Sequence, residues 1–352
     1  MKKIAIIGAG SCGTALAVAL GRSRKAHRIS LWVHGADVLA ALRGERENSV
    51  YLPGIRMPGE VEVTGDVGEA LTDADIVLGA MPSAHSRAVY TAMLPHLCTR
   101  NRERDRTRAE RMIFVSATKG IESRTLSRMT EVAGEVLGAA FRDAASERAP
   151  RLAALSGPSF ALEVARGDPT AVVIASQDTE AAACVQEEFS GATLRLYTND
   201  DVVGTELGGA VKNVIAIAAG VCAGLGLGSN SIAALVTRGL AEMTRLATAL
   251  GGRRDTLAGL AGLGDLILTA TGNLSRNRAV GVELGKGRRL AEILGGMRMV
   301  AEGVGTTAAT LELARRHAIE MPITEQMHAV LDQGREPRDA MRELMERRLK
   351  QE

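Results

Sequence analysis

The chain has 352 residues, of which 46% are hydrophobic, 24% charged and 2% aromatic, with a formal net charge of +2. That length exceeds the roughly 250–300 residues at which a single core stops growing and predicts two domains, whose cores Ala, Val, Leu, Ile and 13 Met must fill in place of aromatic rings. The near-neutral charge excludes nucleic-acid or membrane-surface binding driven by bulk electrostatics.

Ile4-Ala5-Ile6-Ile7 reads as a strand that runs straight into Gly8-Ala9-Gly10-Ser11-Cys12-Gly13 and then into the Ala/Leu-rich helix of Thr14-Ala15-Leu16-Ala17-Val18-Ala19-Leu20. In that setting Gly-x-Gly-x-x-Gly is a dinucleotide fingerprint: one glycine serves the tight turn, one the close approach to a pyrophosphate, and one the packing of helix on strand. The helix would offer its free N-terminal amides to the phosphates; a strand, glycine turn and helix without ligand is the plain alternative. Gly8, Gly10, Ser11, Cys12 and Gly13 are thus candidate cofactor residues. Because the apolar start ends in glycines and not in a cleavage site, no signal peptide is expected.

Further strands are expected at 27–33, 76–81, 113–117, 152–156, 170–175 and 193–197, with helical stretches such as 84–94 and 126–137 between them. This alternation predicts a mostly parallel sheet covered by helices, with ligands beyond the carboxyl ends of the strands. The second strand ends Leu31-Trp32-Val33-His34-Gly35, without the carboxylate that receives the ribose hydroxyls of NAD; Asp37 lies further on. The missing acid removes repulsion against a 2′-phosphate that His34 could assist, so NADP or NAD is expected, with NADP favoured. Segment 100–111 carries six arginines against three acids and no aromatic residue. It reads as a solvated loop, and no nucleic-acid partner is expected.

After residue 198 convincing strands stop, and 202–225, 231–250, 306–316, 325–333 and 337–349 read as helices. The expected fold class is α/β: an N-terminal Rossmann-type doubly wound sheet over 1–198, followed by an all-α domain over 199–352. The longest apolar tract, 214–228, contains four glycines and is too short for an ordinary span, so no membrane insertion is expected. Cys12, Cys98, Cys184 and Cys222 form neither a Cys-x-x-Cys pair nor a Cys/His cluster. That fits free thiols in a reducing, cytoplasmic compartment and implies no metal.

Four constellations place polar groups where chemistry would use them. Lys119, in Ala117-Thr118-Lys119-Gly120, follows a strand and would point at the ligand crevice, unless it is merely solvated. Ser156-Gly157-Pro158-Ser159-Phe160 again passes from strand end to helix start, where exposed amides could hold an anion or a cofactor amide; an ordinary proline-marked helix start is the alternative. Lys212 interrupts Gly208-Gly209-Ala210-Val211-Lys212-Asn213-Val214-Ile215. Its ammonium either snorkels to solvent or is buried, kept charged by a nearby carboxylate or substrate anion, and serves as a general acid or base. Asp265, in Gly262-Leu263-Gly264-Asp265, is the acid that could partner it, or could cap a helix. Beyond it, Ser275-Arg276-Asn277-Arg278 offers a planar fork of donors suited to phosphate.

These motifs occur in one order over nearly the whole chain, continuing through Glu302-Gly303 and Met321-Pro322-Ile323-Thr324. Together they resemble the bacterial NAD(P)-dependent glycerol-3-phosphate dehydrogenases. The resemblance implies reversible reduction of dihydroxyacetone phosphate to sn-glycerol 3-phosphate for glycerophospholipid synthesis, by a cytoplasmic homodimer. It implies Lys212 as proton donor in reduction and acceptor in oxidation, with Lys119 and Asp265 as catalytic companions. Lys119, Gly157, Ser159, Asn213, Asp265, Ser275, Arg276 and Asn277 would contact substrate. Ser11, Cys12, His34, Lys119, Ala161, Arg276, Val300 and Glu302 would contact the nucleotide. Cys12 stands where the family usually has an aromatic residue, and the segment from Arg100 is longer than usual. The competing readings are a two-domain dehydrogenase of the 3-hydroxyacid or 6-phosphogluconate type, and a nucleotide-sensing protein without turnover.

Overall fold

The computed structural model describes residues 1–97, 111–143, 150–297 and 299–348. Cys98 and residues 100–110 of the arginine-rich segment lie outside them. Met1–Lys119 with Arg128–Val202 form one compact unit, and Gly120–Ser127 with Val203–Glu352 form a second.

The first unit is built on strands β1 (Lys3–Ile7), β2 (Arg28–Trp32), β3 (Val61–Thr64), β4 (Ile76–Gly79), β5 (Ile113–Ser116), β6 (Arg151–Ser156), β7 (Thr170–Ala175) and β8 (Leu194–Asn199). They form one sheet in the order β3-β2-β1-β4-β5-β6-β7-β8. Every residue of β1 is buried, as expected of a strand covered on both faces. Side chains alternate across a strand. Ile4 and Ile6 accordingly join the core beneath the helix Ser11–Gly21, whereas Ala5 and Ile7 join the core on the other face, beneath the helices Ser83–Leu97 and Met129–Asp143. The sheet is thus doubly wound.

Two features depart from the sequence reading. β3 was not expected: Val61-Glu62-Val63-Thr64 is too short to show a period and lies at the sheet edge, where half-exposed side chains are tolerated. β7 runs antiparallel to β6, whereas the other pairs are parallel. An antiparallel neighbour needs no crossover, so a short connection carrying only the helix Ala161–Arg166 suffices.

The second unit is helical around Val202–Gly224, of which Gly204 to Cys222 are all buried. This helix has the length and composition to cross a membrane, but its burial makes it the core of the unit. Ile121 and Leu126 pack in the same core, which is why 120–127 belongs with the helices. Gly220 lies against Gly281 of the helix Arg276–Gly285, so closely that a Cβ on Gly281 would sit 2.0 Å from the Ile217 carbonyl oxygen. Backbone-to-backbone contact therefore locates the helix whose first residues are Arg276 and Asn277.

Met321-Pro322-Ile323-Thr324 opens the helix Pro322–Asp332. Its orphan amides find an acceptor in Glu242, which is 1% exposed and takes Ile323 N at 2.6 Å, Thr324 N at 3.3 Å and Thr324 Oγ1 at 3.2 Å. Burial pushes the Glu242 carboxyl up to about 7 from its ordinary 4.5, against the opposing pull of these donors and of Arg245. A carboxyl raised on folding contributes stability that is complete below its unfolded value and is lost as pH rises through the folded one. Stability should therefore fall by about 3 kcal/mol between pH 4.5 and pH 7 on account of this group. Urea unfolding across that interval should show a shallower decline in Glu242→Gln than in the parent; equal slopes would refute the assignment.

Candidate active site

In the first unit the fingerprint adopts the expected turn. Gly8 has φ +114°, and a Cβ there would lie 2.7 Å from the Ala80 carbonyl oxygen. A Cβ on Gly13 would lie 1.9 Å from the Gly8 carbonyl oxygen, so helix and turn touch through backbone. A Cβ on Gly10 would meet nothing within 4 Å, which leaves room above the loop. Gly10 is the N-cap of the helix Ser11–Gly21, and no side chain caps it. Uncapped amides beside open space are the geometry an anion fits.

The loop is latched from below by a residue outside the fingerprint. Asn48 is fully buried; its Nδ2 donates to the Ala9 carbonyl and to Thr14 Oγ1, both at 2.8 Å, while its Oδ1 accepts Tyr51 N at 3.1 Å. Nothing in sequence marks Asn48, because its importance comes from a contact distant along the chain.

Beyond the strand ends, Lys119 Nζ donates to the Gly157 carbonyl at 2.9 Å and Ser159 Oγ donates to the same oxygen at 3.0 Å. Cys12, Lys119, Ser159 and Ala161 line one cavity of this unit together with Ser156. His34 is exposed just after β2, with its ring centroid 5.7 Å from that of Trp32. It is not among the cavity's walls.

In the second unit Lys212 is 5% exposed and Asp265 1%. Lys212 Nζ donates to Asp265 Oδ1 and, at 2.7 Å, to Thr269 Oγ1. Thr269 Oγ1 in turn donates to the Asp265 backbone carbonyl at 2.7 Å. The lysine therefore does not snorkel. Asp265 does not cap its helix Asp265–Thr271, whose N-cap is Gly264. Thr269 sits one turn after Asp265, a spacing that puts both side chains on one face and could have exposed its role.

The pair meets because glycine lets two backbones approach one turn earlier. Asp265 follows a π-helical turn, Leu260–Gly264, of the kind found at functional sites. A Cβ on Gly208 would lie 2.6 Å from the Ala261 carbonyl oxygen in that turn.

Asn213, next to Lys212, accepts Asn277 Nδ2 on its Oδ1 at 2.9 Å, and Asn277 Oδ1 accepts Gly303 N at 3.0 Å. Ser275 is 4% exposed and caps the helix Arg276–Gly285 by accepting Arg278 N at 3.2 Å. Arg276 is exposed, with Nη1 donating to the Val300 carbonyl at 3.2 Å. Glu302 opens the helix Glu302–Arg316. Among the described residues no group of three or more His, Cys, Asp or Glu side chains is placed to hold a metal ion.

Comparison with known proteins gives one answer for both halves. Residues 3–182 match the family described as NAD-dependent glycerol-3-phosphate dehydrogenase N-terminus, and residues 201–342 match its C-terminus. A "Glycerol-3-phosphate dehydrogenase [NAD(P)+]" of Koribacter versatilis is 58% identical over 348 residues, covering 99% of this chain and 98% of the relative. Another, from Acidobacterium capsulatum, is 52% identical over 351 residues, again covering 99% and 98%. The crystal structure of glycerol-3-phosphate dehydrogenase from Coxiella burnetii aligns with a TM-score of 0.89 at 40% identity, covering 98% of this chain and 99% of that one. With both halves matched and relatives above half identity along the full length, the chain belongs to the NAD-dependent glycerol-3-phosphate dehydrogenase family.

Proposed function

We propose that this chain is an NAD(P)-dependent sn-glycerol-3-phosphate dehydrogenase that interconverts dihydroxyacetone phosphate and sn-glycerol 3-phosphate for glycerophospholipid synthesis. The observation that carries the reading is the buried Lys212–Asp265 pair. A lysine kept charged away from water is suited to moving a proton at a substrate oxygen.

The residues of the first unit fit the cofactor, since an uncapped helix start with open space above Gly10 suits a pyrophosphate. Gly8, Gly10, Ser11, Cys12 and Gly13 would hold it there, with Lys119 and Ala161 toward its other end. When bound, the nicotinamide supplies or takes up the hydride. In reduction, Lys212 stabilises negative charge developing on the ketone oxygen and gives that oxygen its Nζ proton; in oxidation it takes the proton back. Asp265 holds the ammonium charged and aimed, and Thr269 fixes it from a second direction. Arg276 presents its guanidinium to the substrate phosphate, while Asn277 is pinned by Asn213 and Gly303 beside it. By the family resemblance, Lys119, Gly157 and Ser159 contact the substrate, and Val300 and Glu302 contact the nucleotide.

NADP is the favoured cofactor, because β2 ends without a carboxylate and exposed His34 follows it. The enzyme acts as a cytoplasmic homodimer without membrane insertion. One spectrophotometric assay tests substrate and cofactor together: dihydroxyacetone phosphate should oxidise NADPH with a higher kcat/KM than NADH. Turnover with the keto form of a hydroxyacid but not with dihydroxyacetone phosphate would overturn the reading, and sedimentation of the purified protein checks the dimer.

A further inference from the structure

Gly8-Ala9-Gly10-Ser11-Cys12-Gly13 is half glycine, the residue with the most backbone freedom to lose, so a single binding shape has to be imposed from outside the loop. Asn48 is placed to impose it. Asn48 is 0% exposed, Thr14 1% and Ala9 7%, and their polar groups close a triangle. Asn48 Nδ2 donates to the Ala9 carbonyl and to Thr14 Oγ1, both at 2.8 Å, and Thr14 Oγ1 donates to the same carbonyl at 3.3 Å. The carboxamide has one workable orientation. Its Oδ1 accepts Tyr51 N at 3.1 Å, and a reversed amide would set donor against donor there and oxygen against oxygen at Ala9.

Asn48 is itself anchored. Its loop is closed at the base by the bridge between Glu47 and Arg56, its own carbonyl accepts Leu52 N at 2.9 Å, and Leu52, Ile55 and Met57 are buried in the core beneath the fingerprint helix. A fixed platform thus grips a pliable loop.

The grip has a consequence one atom away, because the Ala9 carbonyl and the Gly10 amide belong to the same peptide. In a trans peptide these two groups point in opposite directions, and no cis peptide occurs among the described residues. Holding the carbonyl against buried Asn48 turns the Gly10 amide to the other side, where Gly10 is half-buried and a Cβ would meet nothing within 4 Å. With the peptide turned over, an oxygen would face that space and repel a phosphate.

We propose that Asn48 is a positioning residue for the cofactor: by gripping the Ala9 carbonyl it keeps the Gly10 amide aimed at the pyrophosphate. The inference rests on the reading of the chain as an NAD(P)-dependent enzyme and adds to it a determinant of affinity outside the fingerprint. Its contribution is preorganisation. Apparent affinity falls in proportion to the fraction of molecules that hold the binding shape.

Asn48→Leu, close in volume, removes both donors. The Kd for NADPH should rise about tenfold, the combined worth of two neutral hydrogen bonds that select the shape. The Kd for 2′-phospho-ADP-ribose should rise by the same factor, since both ligands carry the pyrophosphate. Thr14→Val should raise both constants about threefold, whereas Thr14→Ser, which keeps the hydroxyl, should hold them at the parent's values. Titration calorimetry at a temperature where each variant is folded separates this from a structural role. Lost stability alone lowers the amount of binding protein and leaves its Kd unchanged.

Unchanged Kd values in Asn48→Leu would overturn the proposal, as would a loss confined to NADPH, which would put the effect at the nicotinamide. If Asn48→Leu does not fold, the threonine variants decide: equal affinities of Thr14→Val and Thr14→Ser, weakened or not, would overturn it. A parent protein that binds neither ligand overturns the cofactor reading and this one together. A parent that binds both but does not turn over dihydroxyacetone phosphate fails only as a glycerol-3-phosphate dehydrogenase.

Discussion

Lys212→Ala lowers kcat for dihydroxyacetone phosphate reduction by about a hundred- to ten-thousandfold, the range that general acid catalysis spans. The Kd for NADPH stays where it was, because Lys212 belongs neither to the fingerprint and its Asn48 latch nor to the walls of the cavity beside them. The variant also loses stability, since Asp265 is left 1% exposed without its ammonium. Breaking a buried ion pair from one side costs about 3–5 kcal/mol. Steady-state kinetics at a temperature where the variant is fully folded separates the two effects. Turnover at the parent's rate would remove Lys212 from the chemistry.

Asp265→Ala produces a comparable loss of stability, again about 3–5 kcal/mol, because it breaks the same buried ion pair from the other side. It lowers kcat as well, since the carboxylate that aims the amine together with Thr269 is gone. The informative measurement is the double-mutant cycle. If Asp265 acts through Lys212, the Lys212→Ala/Asp265→Ala protein has a kcat no lower than Lys212→Ala and is more stable than either single variant. Additive losses in kcat would mean that Asp265 serves the reaction independently of the lysine.

The sheet was legible because covered parallel strands write themselves as apolar runs. Lys3–Ile7, Ile113–Ser116 and Thr170–Ala175 stand out for that reason. β3 did not, since an edge strand of four residues needs neither a long apolar run nor a clear period. The antiparallel turn of β7 was equally invisible, as strand direction leaves no trace in composition. In the helical unit the long helix announced itself, whereas the short helices Arg254–Ala258, Asp265–Thr271 and Leu290–Gly295 carry too few turns for a period to emerge.

Among the site residues, the fingerprint glycines could be assigned from sequence because their tasks are local: each is defined by its own turn and the next few residues. Lys212 was different. Its sequence context allowed either a snorkelling or a buried side chain, and a choice between them requires knowing what faces it.

By itself the amino-acid sequence determined the doubly wound half, the helical half and the family, because these rest on local periodicity and on motifs spaced along one chain. Only the tertiary structure decided that Lys212 is buried with Asp265 and Thr269, that Ser275 is a helix cap, and that Asn48 holds the fingerprint. The physical reason is separation. Lys212 and Asp265 meet because Gly208 admits the Ala261 carbonyl one turn earlier, and that contact between distant segments has no local signature.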